Sequence, residues 1–452
     1  MKTSNNKFRL NPLFLALASL ATALPAQADE YHYRDMLIGD RAAGLAGAYT
    51  AVADDASGLY YNPAGVVYSS TTKISGSVNA YNTKTTSYKG ISKSNPDQKW
   101  TRTSTGMVAN FFGVVQPLGN GTIGFSIAIP NYELEDQSDS FTNLEASERL
   151  KTGIGPAGNT FTAIPNSAVR KQEVDYNNAD NTTLVGASYA QPITESLSLG
   201  ATLYGYIRKK EMTLKQISII EGTGSTYLKD SFYQKVQTEE FGFQPRLGLM
   251  WAPIDKLSIG LMAQTTFMVS ENPDSRIEQS LCGTAGCYEY NATTDTYDLK
   301  DDDAFFNEEI GLVETAKNAL PVEVNLGIAY FPSSRLLFSG DFSYATETDR
   351  YQATWNAAAG AEYFLNANWA IRGGAYTNNA NTHADVSQYV DPHINELGMS
   401  FSVSRYTKTT NITAGLSYLS GKGEANLFSS SDHTQDINTS GLSLYLSTSA
   451  SF

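Results

Sequence analysis

Few residues in this chain are spaced to do chemistry, and what they could hold decides where to look. Four cations could meet a ligand carboxylate. Arg208, Arg246 and Arg372 fall on alternating segments, at the positions opposite the apolar side chains, and Lys317 stands just before another such segment. Each has a competing use, because a charge enclosed by protein ordinarily takes a protein partner. Here the partners would be Glu323, Asp341, Glu362 or the acids Asp54 and Asp55. Cys282 and Cys287, separated by four residues, read as a loop-closing disulfide in an exported chain. A metal pair would need further ligands, and none stands nearby. Asp301, Asp302 and Asp303 with Glu308 and Glu309 could attract divalent cations, but they lack the alternating ligands and glycine of an EF-hand loop.

Catalytic patterns are absent. Two G-x-G-x-x-G matches occur, at Gly119/Gly121/Gly124 and Gly153/Gly155/Gly158. The first crosses a hairpin turn into a strand and the second contains Pro156, so neither opens a helix after a strand. The four histidines, His32, His383, His393 and His433, are scattered, and no G-x-S-x-G or H-E-x-x-H occurs. The chain reads as a non-enzyme with no cofactor and no metal.

The elements that would position these cations are strands. Leu442, Leu444, Leu446, Thr448, Ala450 and Phe452 alternate with Ser443, Tyr445, Ser447, Ser449 and Ser451. Leu197, Leu199, Ala201, Leu203 and Ile207 alternate with small polar residues in the same way, as do Leu257, Ile259 and Leu261, and Val322, Val324, Leu326 and Ile328. A strand with lipid on one face needs this period over about 9–11 residues. The polar face carries Ser, Thr, Gly and Asn, which suit a crowded lumen. Fourteen such segments can be drawn, from 72–82 through 122–131 and 257–270 to 439–452. Tight turns such as Leu118-Gly119-Asn120-Gly121 and Pro253-Ile254-Asp255-Lys256 alternate with long polar connections, the longest over roughly 132–180 and 271–319. Short turns on one side and long loops on the other is the outer-membrane pattern. An even strand number puts both termini on the short-turn, periplasmic side.

Composition and the N-terminus agree with export. Lys2, Lys7 and Arg9 precede an apolar stretch from Leu10 to Leu24 and an Ala26-Gln27-Ala28 cleavage site, so residues 1–28 read as a signal peptide. Removing those three cations from 32 leaves 29 against 46 acidic residues, a balance of −17. That balance disfavours nucleic-acid binding. Charged residues are only 17% of the chain, low for a soluble domain. Residues 29–68 lack a period of two and are rich in Ala and Gly; inside the barrel is the natural place for them. Residues 69–452 then form the barrel.

The segment 41–65, RAAGLAGAYTAVADDASGLYYNPAG, carries the most specific signal. It resembles the hatch of the outer-membrane long-chain fatty acid and aromatic-hydrocarbon transporter superfamily, with Asp54-Asp55 followed by Asn62-Pro63-Ala64. The resemblance implies an all-β fold, a fourteen-stranded antiparallel transmembrane barrel with an N-terminal hatch inside its lumen. It implies passive uptake of a hydrophobic small molecule, a fatty acid or hydrocarbon, into an internal pocket, with Asp54, Asp55, Asn62, Pro63 and Ala64 as hatch and gating residues. It further implies that Tyr31, His32 and Tyr33 lie near the pocket. Release would follow hatch rearrangement or a lateral gap beside a kinked third strand, where Pro130 and Asn131 stand; their plainer reading is the end of that strand before a long loop. The final Phe452 is similar to the signal read by the barrel-insertion machinery. Expected partners are therefore the hydrophobic ligand, outer-membrane lipid with lipopolysaccharide, and that machinery; the barrel is expected to work as a monomer. Competing readings are a shuttle protein of a secretion system, a general diffusion porin and, most remotely, a lipase barrel.

Overall fold

The computed structural model describes residues 32–33, 35–69, 71–91, 97–145, 168–221, 227–283, 286–291, 296–300, 306–308, 320–348, 351–382, 393–425 and 435–452. Within them eighteen strand segments hydrogen-bond into one antiparallel sheet that closes on itself. Three are short pieces of the 271–319 connection, and two flank a break at Thr265-Thr266 in a single strand, so fourteen strands form the wall. In chain order they are β1 (Lys73–Lys89), β2 (Lys99–Leu118), β3 (Gly121–Glu145), β4 (Ala168–Pro192), β5 (Leu197–Glu221), β6 (Tyr227–Ile254) and β7 (Leu257–Gln264, resuming over Phe267–Gly283). There follow β8 (Glu323–Ser333), β9 (Leu336–Ala345), β10 (Thr354–Asn366), β11 (Trp369–Asn378), β12 (His393–Tyr406), β13 (Thr410–Ala425) and β14 (Gln435–Ser451). β14 pairs with β1 from Lys73↔Ser451 to Lys89↔Asp436, which leaves no open edge for aggregation.

The alternation read from the sequence faces as expected. Leu203, Leu247, Leu326, Ile328, Phe338, Phe342, Met399 and Leu446 stand exposed on the outer surface. Their neighbours Thr202, Arg246, Asn325, Ser339, Asp341, Ser400 and Ser447 are buried inside. Tyr189, Trp251, Tyr330, Tyr363 and Trp369 ring the outside near the short turns, the interfacial belt of a membrane barrel. The fold is that of an outer-membrane β-barrel.

The long connections are shorter than the sequence suggests. β3 and β4 run on through 132–145 and 168–180, and β7 through 271–283. Beyond the membrane no lipid face demands apolar residues, so the alternation fades while the backbone ladder continues. Charged rungs replace apolar ones on the outside, as at Lys209–Glu239 and Lys235–Glu211. The wall is therefore lopsided: β3 to β6 have 25 to 28 residues, while β8, β9 and β11 have 10 or 11. Inward side chains of the tall strands, among them Tyr88, Trp100, Phe141, Tyr176, Met212 and Phe232, pack with Ile394 and Ile437 into an apolar cluster.

Residues 35–69 lie inside the lumen, as two four-residue helices, Arg41–Gly44 and Gly58–Tyr61, and a 3-10 helix, Pro63–Tyr68. Almost every residue from Ile38 to Val66 is buried. Such helices are too short to stand alone, and the wall holds them through their backbone.

Candidate functional site

The plug is fixed by side chains that answer its unpaired backbone groups. Asp341 of β9 accepts hydrogen bonds from the Tyr49 and Thr50 amides at 3.0 and 2.9 Å. Ser198 and Thr202 of β5 donate to the Ala64 and Leu59 carbonyls, Ser400 of β12 to Ala43, and Asn110 of β2 to Leu37. Asn62 is fully buried. Its Nδ2 donates to the Thr50 carbonyl at 2.8 Å and to the Leu249 carbonyl of β6 at 3.1 Å. Its Oδ1 accepts from the Ala64 amide and caps the 3-10 helix, in which Pro63 sits at the first turn, where no amide is missed. Asn62, Pro63 and Ala64 thus join two plug segments to β5 and β6.

The acidic pair divides in two. Asp54 accepts from Arg41 at both oxygens at 2.8 Å and from the Tyr49 hydroxyl at 3.2 Å, and Arg41 also reaches both oxygens of Glu362 on β10. Asp55 turns back to accept from the Ser57 amide and hydroxyl. Burial, then the Asp54 charge, pushes the Asp55 carboxyl above the ordinary range.

Above the plug lies a cavity of ≈ 150 Å³. His32, Tyr33, Asp35 and Tyr60 line it from the N-terminal segment. Pro130 and Asn131 line it from β3, Thr182 and Leu184 from β4, Tyr206 and Arg208 from β5, and Gln244 and Arg246 from β6. The break in β7 contributes Thr265 and Thr266; Leu320, Pro321, Glu323 and Tyr351 complete the lining. His32 hydrogen-bonds the Ile394 carbonyl at 2.7 Å.

The expected cations separate here. Arg208 lines the cavity but is neutralised: Asp180 binds two of its nitrogens, and Glu240 lies 3.7 Å away. Arg372 does not reach the cavity. It is fully buried at the plug's other side, bonded to Glu362, Ser404 and Tyr406, with Asp40 at 3.9 Å, so protein partners consume it. Arg246 is 2% exposed and, among the described residues, binds only neutral acceptors, the Gln244 side chain and the Tyr60 carbonyl, with its guanidinium 4.0 Å over the Tyr60 ring. Lys317 and Tyr31 lie outside the described residues. Cys282 is disulfide-bonded, and the backbone sets it opposite Cys287 in a hairpin.

Pro130 and Asn131 do not end their strand, which continues to Glu145. They mark a bulge. The β3–β4 register shifts between Ala128 and Asn131, and the extra residue flips the faces: Ser126 and Ala128 are buried below it, Glu135 above it. On the other side of β3 the pairing with β2 stops at Phe111↔Ala128 and touches again only at Ser104↔Glu135. At the same height β1 shifts register against β14, between Asn79 and Tyr81, and against β2, between Ser77 and Asn82. Across this gap Tyr132 lays its ring against Gly106, where a Cβ would come within 2.9 Å of it. Pro130 was a visible sign of this irregularity. The roles of Tyr132 and Gly106 were not, because nothing in the sequence reports an unmade ladder.

No family model matches the chain, and no curated protein matches it. Solved structures do. A FadL homologue of Pseudomonas aeruginosa is 12% identical, with 93% of this chain and all of that chain covered and a TM-score of 0.55. The toluene transporter TodX of P. putida is 12% identical, with 92% and 98% covered and a TM-score of 0.56. The monoaromatic hydrocarbon channel CymD is 13% identical, with 92% and 97% covered and a TM-score of 0.50. The chain shares their fold.

Proposed function

We propose that this barrel is a passive channel that takes hydrophobic small molecules from outside the cell, holds them in the ≈ 150 Å³ cavity and releases them sideways through the gap between β2 and β3. One observation carries the reading: Pro130 and Asn131 belong both to the wall of the cavity and to the stretch of β3 that lacks its partner. A molecule in the cavity therefore borders a stretch of wall where, among the described residues, no rung between β2 and β3 stands between it and lipid. The axial route is held by the plug, whose bonds reach β2, β5, β6, β9, β10 and β12. A polar diffusion porin has no use for such a plug. Tyr132 is the movable cover of the gap, and Asp54, Asp55, Asn62, Pro63 and Ala64 keep the plug seated. In this reading both termini face the periplasm, residues 1–28 are removed on export, and concentration sets the direction of flow.

The test is a removable staple. Gly106→Cys with Tyr132→Cys places two thiols across the gap. Oxidised cells should lose accumulation of whichever of labelled toluene, palmitate and benzoate they take up, and reductant should restore it, relative to a control carrying only the native cysteines. Uptake untouched by the formed staple would refute lateral release.

A further inference from the structure

The uptake reading leaves the ligand's chemistry open, and Arg246 narrows it. A guanidinium has five N–H donors. Its Nε donates once, to Gln244; its Nη1 donates once, to the Tyr60 carbonyl; its Nη2 donates once, to Gln244. One N–H on each Nη is left to meet a ligand carboxylate. Among the described residues no carboxylate lies within ion-pair distance of Arg246, unlike Arg208 in the same cavity. A buried charge without a counter-charge is costly, and an anionic ligand relieves it. An unsubstituted hydrocarbon has nothing to offer this group.

Size gives the second constraint. A cavity of ≈ 150 Å³ matches the volume at which a benzene ring is held in an engineered protein cavity. A long acyl chain would not be held within it and would extend from its open side. The lining agrees with a small ring bearing polar groups. Pro130, Leu184 and Leu320 supply apolar surface, while Asn131 Oδ1 and Gln264 Oε1 are buried acceptors with no donor. The acids at the cavity do not pre-empt Arg246. Glu323 accepts from Gln264. Asp35 is half-buried, and its desolvation with Glu133, Glu396 and Asp180 nearby outweighs Arg208 and holds its carboxyl well above the ordinary range.

We infer that the cavity binds a monocyclic aromatic carboxylate, a benzoate-like anion, with its carboxylate on the two open N–H groups of Arg246 and its ring among Pro130, Leu184 and Leu320. This inference rests on the uptake reading and names its substrate class. It makes Arg246 the specificity residue of the channel and Tyr60, whose carbonyl Arg246 holds, the point where an occupied cavity touches the plug.

The experiment is calorimetric titration of the full chain, purified from membranes in detergent, with benzoate, toluene and palmitate in turn. Benzoate should bind saturably and at least tenfold more tightly than toluene, and Arg246→Gln should weaken benzoate at least tenfold. Because Arg246 also holds the plug, Leu184→Trp, which fills the cavity and keeps the cation, provides the second variant and should abolish benzoate binding. Folding of each variant is checked by the heat-dependent gel shift of an intact barrel. Binding of toluene or palmitate with none of benzoate overturns the carboxylate assignment and leaves the uptake reading standing. Benzoate binding undiminished in both variants overturns it as well. No binding of any of the three overturns both.

Discussion

At the scale of single residues, the plug depends on side chains that do several tasks at once. Asn62 is the clearest. It uses both amide hydrogens on carbonyls from two different segments and its oxygen on a helix cap, all without contact with water. Replacing it removes three bonds and leaves the Thr50 carbonyl buried without a donor, while Leu249 keeps its place in the ladder. A lost cap costs about 1 kcal/mol, and each orphaned buried group about 1–3 kcal/mol. Asn62→Ala should therefore loosen the plug by roughly 2–4 kcal/mol, most of it local, since the barrel ladder is untouched. Hydrogen exchange followed by mass spectrometry should show amides of 49–66 exchanging roughly 30- to 700-fold faster, with β9 to β13 unchanged. Equal acceleration in the wall would mean that Asn62 supports the whole barrel and not the plug alone. Arg41 shows the same economy with charge, since one guanidinium bridges Asp54 and Glu362 and ties plug to wall.

At the scale of elements, the wall receives the plug on bare backbone. Three pairs of glycines stand directly opposite each other on neighbouring strands: Gly200↔Gly248, Gly260↔Gly327 and Gly360↔Gly374. Each faces plug backbone. A Cβ on Gly327 would lie 2.7 Å from the Ala51 amide nitrogen, and one on Gly360 2.7 Å from the Leu45 carbonyl oxygen. Gly340, one strand from Gly327, meets nothing closer than 3.7 Å. Overpacking of a tight contact costs about 1–3 kcal/mol. Gly327→Ala should therefore free the plug by that amount in the same exchange measurement, whereas Gly340→Ala should change little. These pairs explain what was and was not legible in the sequence. The strand period announced itself, because lipid demands an apolar residue at every second position. The plug segment announced itself through its motif and its lack of that period. The glycine sockets did not, since a glycine in a strand reads the same whether it meets solvent, a bulge or a neighbouring chain segment. The gap beside β3 was half legible, as Pro130, but its partner face on β2 contains no proline to mark it. Nor could parity rank Arg208, Arg246 and Arg372, because their difference lies in partners brought from other strands.

At the scale of the whole molecule, two closures stand in series along the lumen with the cavity between them. The plug closes the short-turn end. At the other end the tall strands fold their inner faces together, and eight strands, β1 to β6, β12 and β14, contribute to one apolar cluster. Arg102 is held within it, bonded to Glu135 and to the Tyr88 hydroxyl and flanked by the rings of Tyr88, Trp100 and Tyr176 at 5.2–5.5 Å. An ion crossing such a region would lose its hydration without replacement, whereas a hydrophobic solute gains by entering it, at about 25 cal/mol per Å² buried. In the proposed uptake, the asymmetry of wall height selects what enters, before the cavity selects what stays. In planar bilayers the intact protein should conduct far less than an open barrel of its strand number. Trp100→Ala with Phe232→Ala, each costing about 3–5 kcal/mol of packing, or Asn62→Ala alone should leave conductance low, because in each case the other closure is still in place; the three substitutions together should raise it. If Asn62→Ala alone produced open-pore steps, the apolar cluster would be permeable to ions and selection would rest on the plug and Arg246.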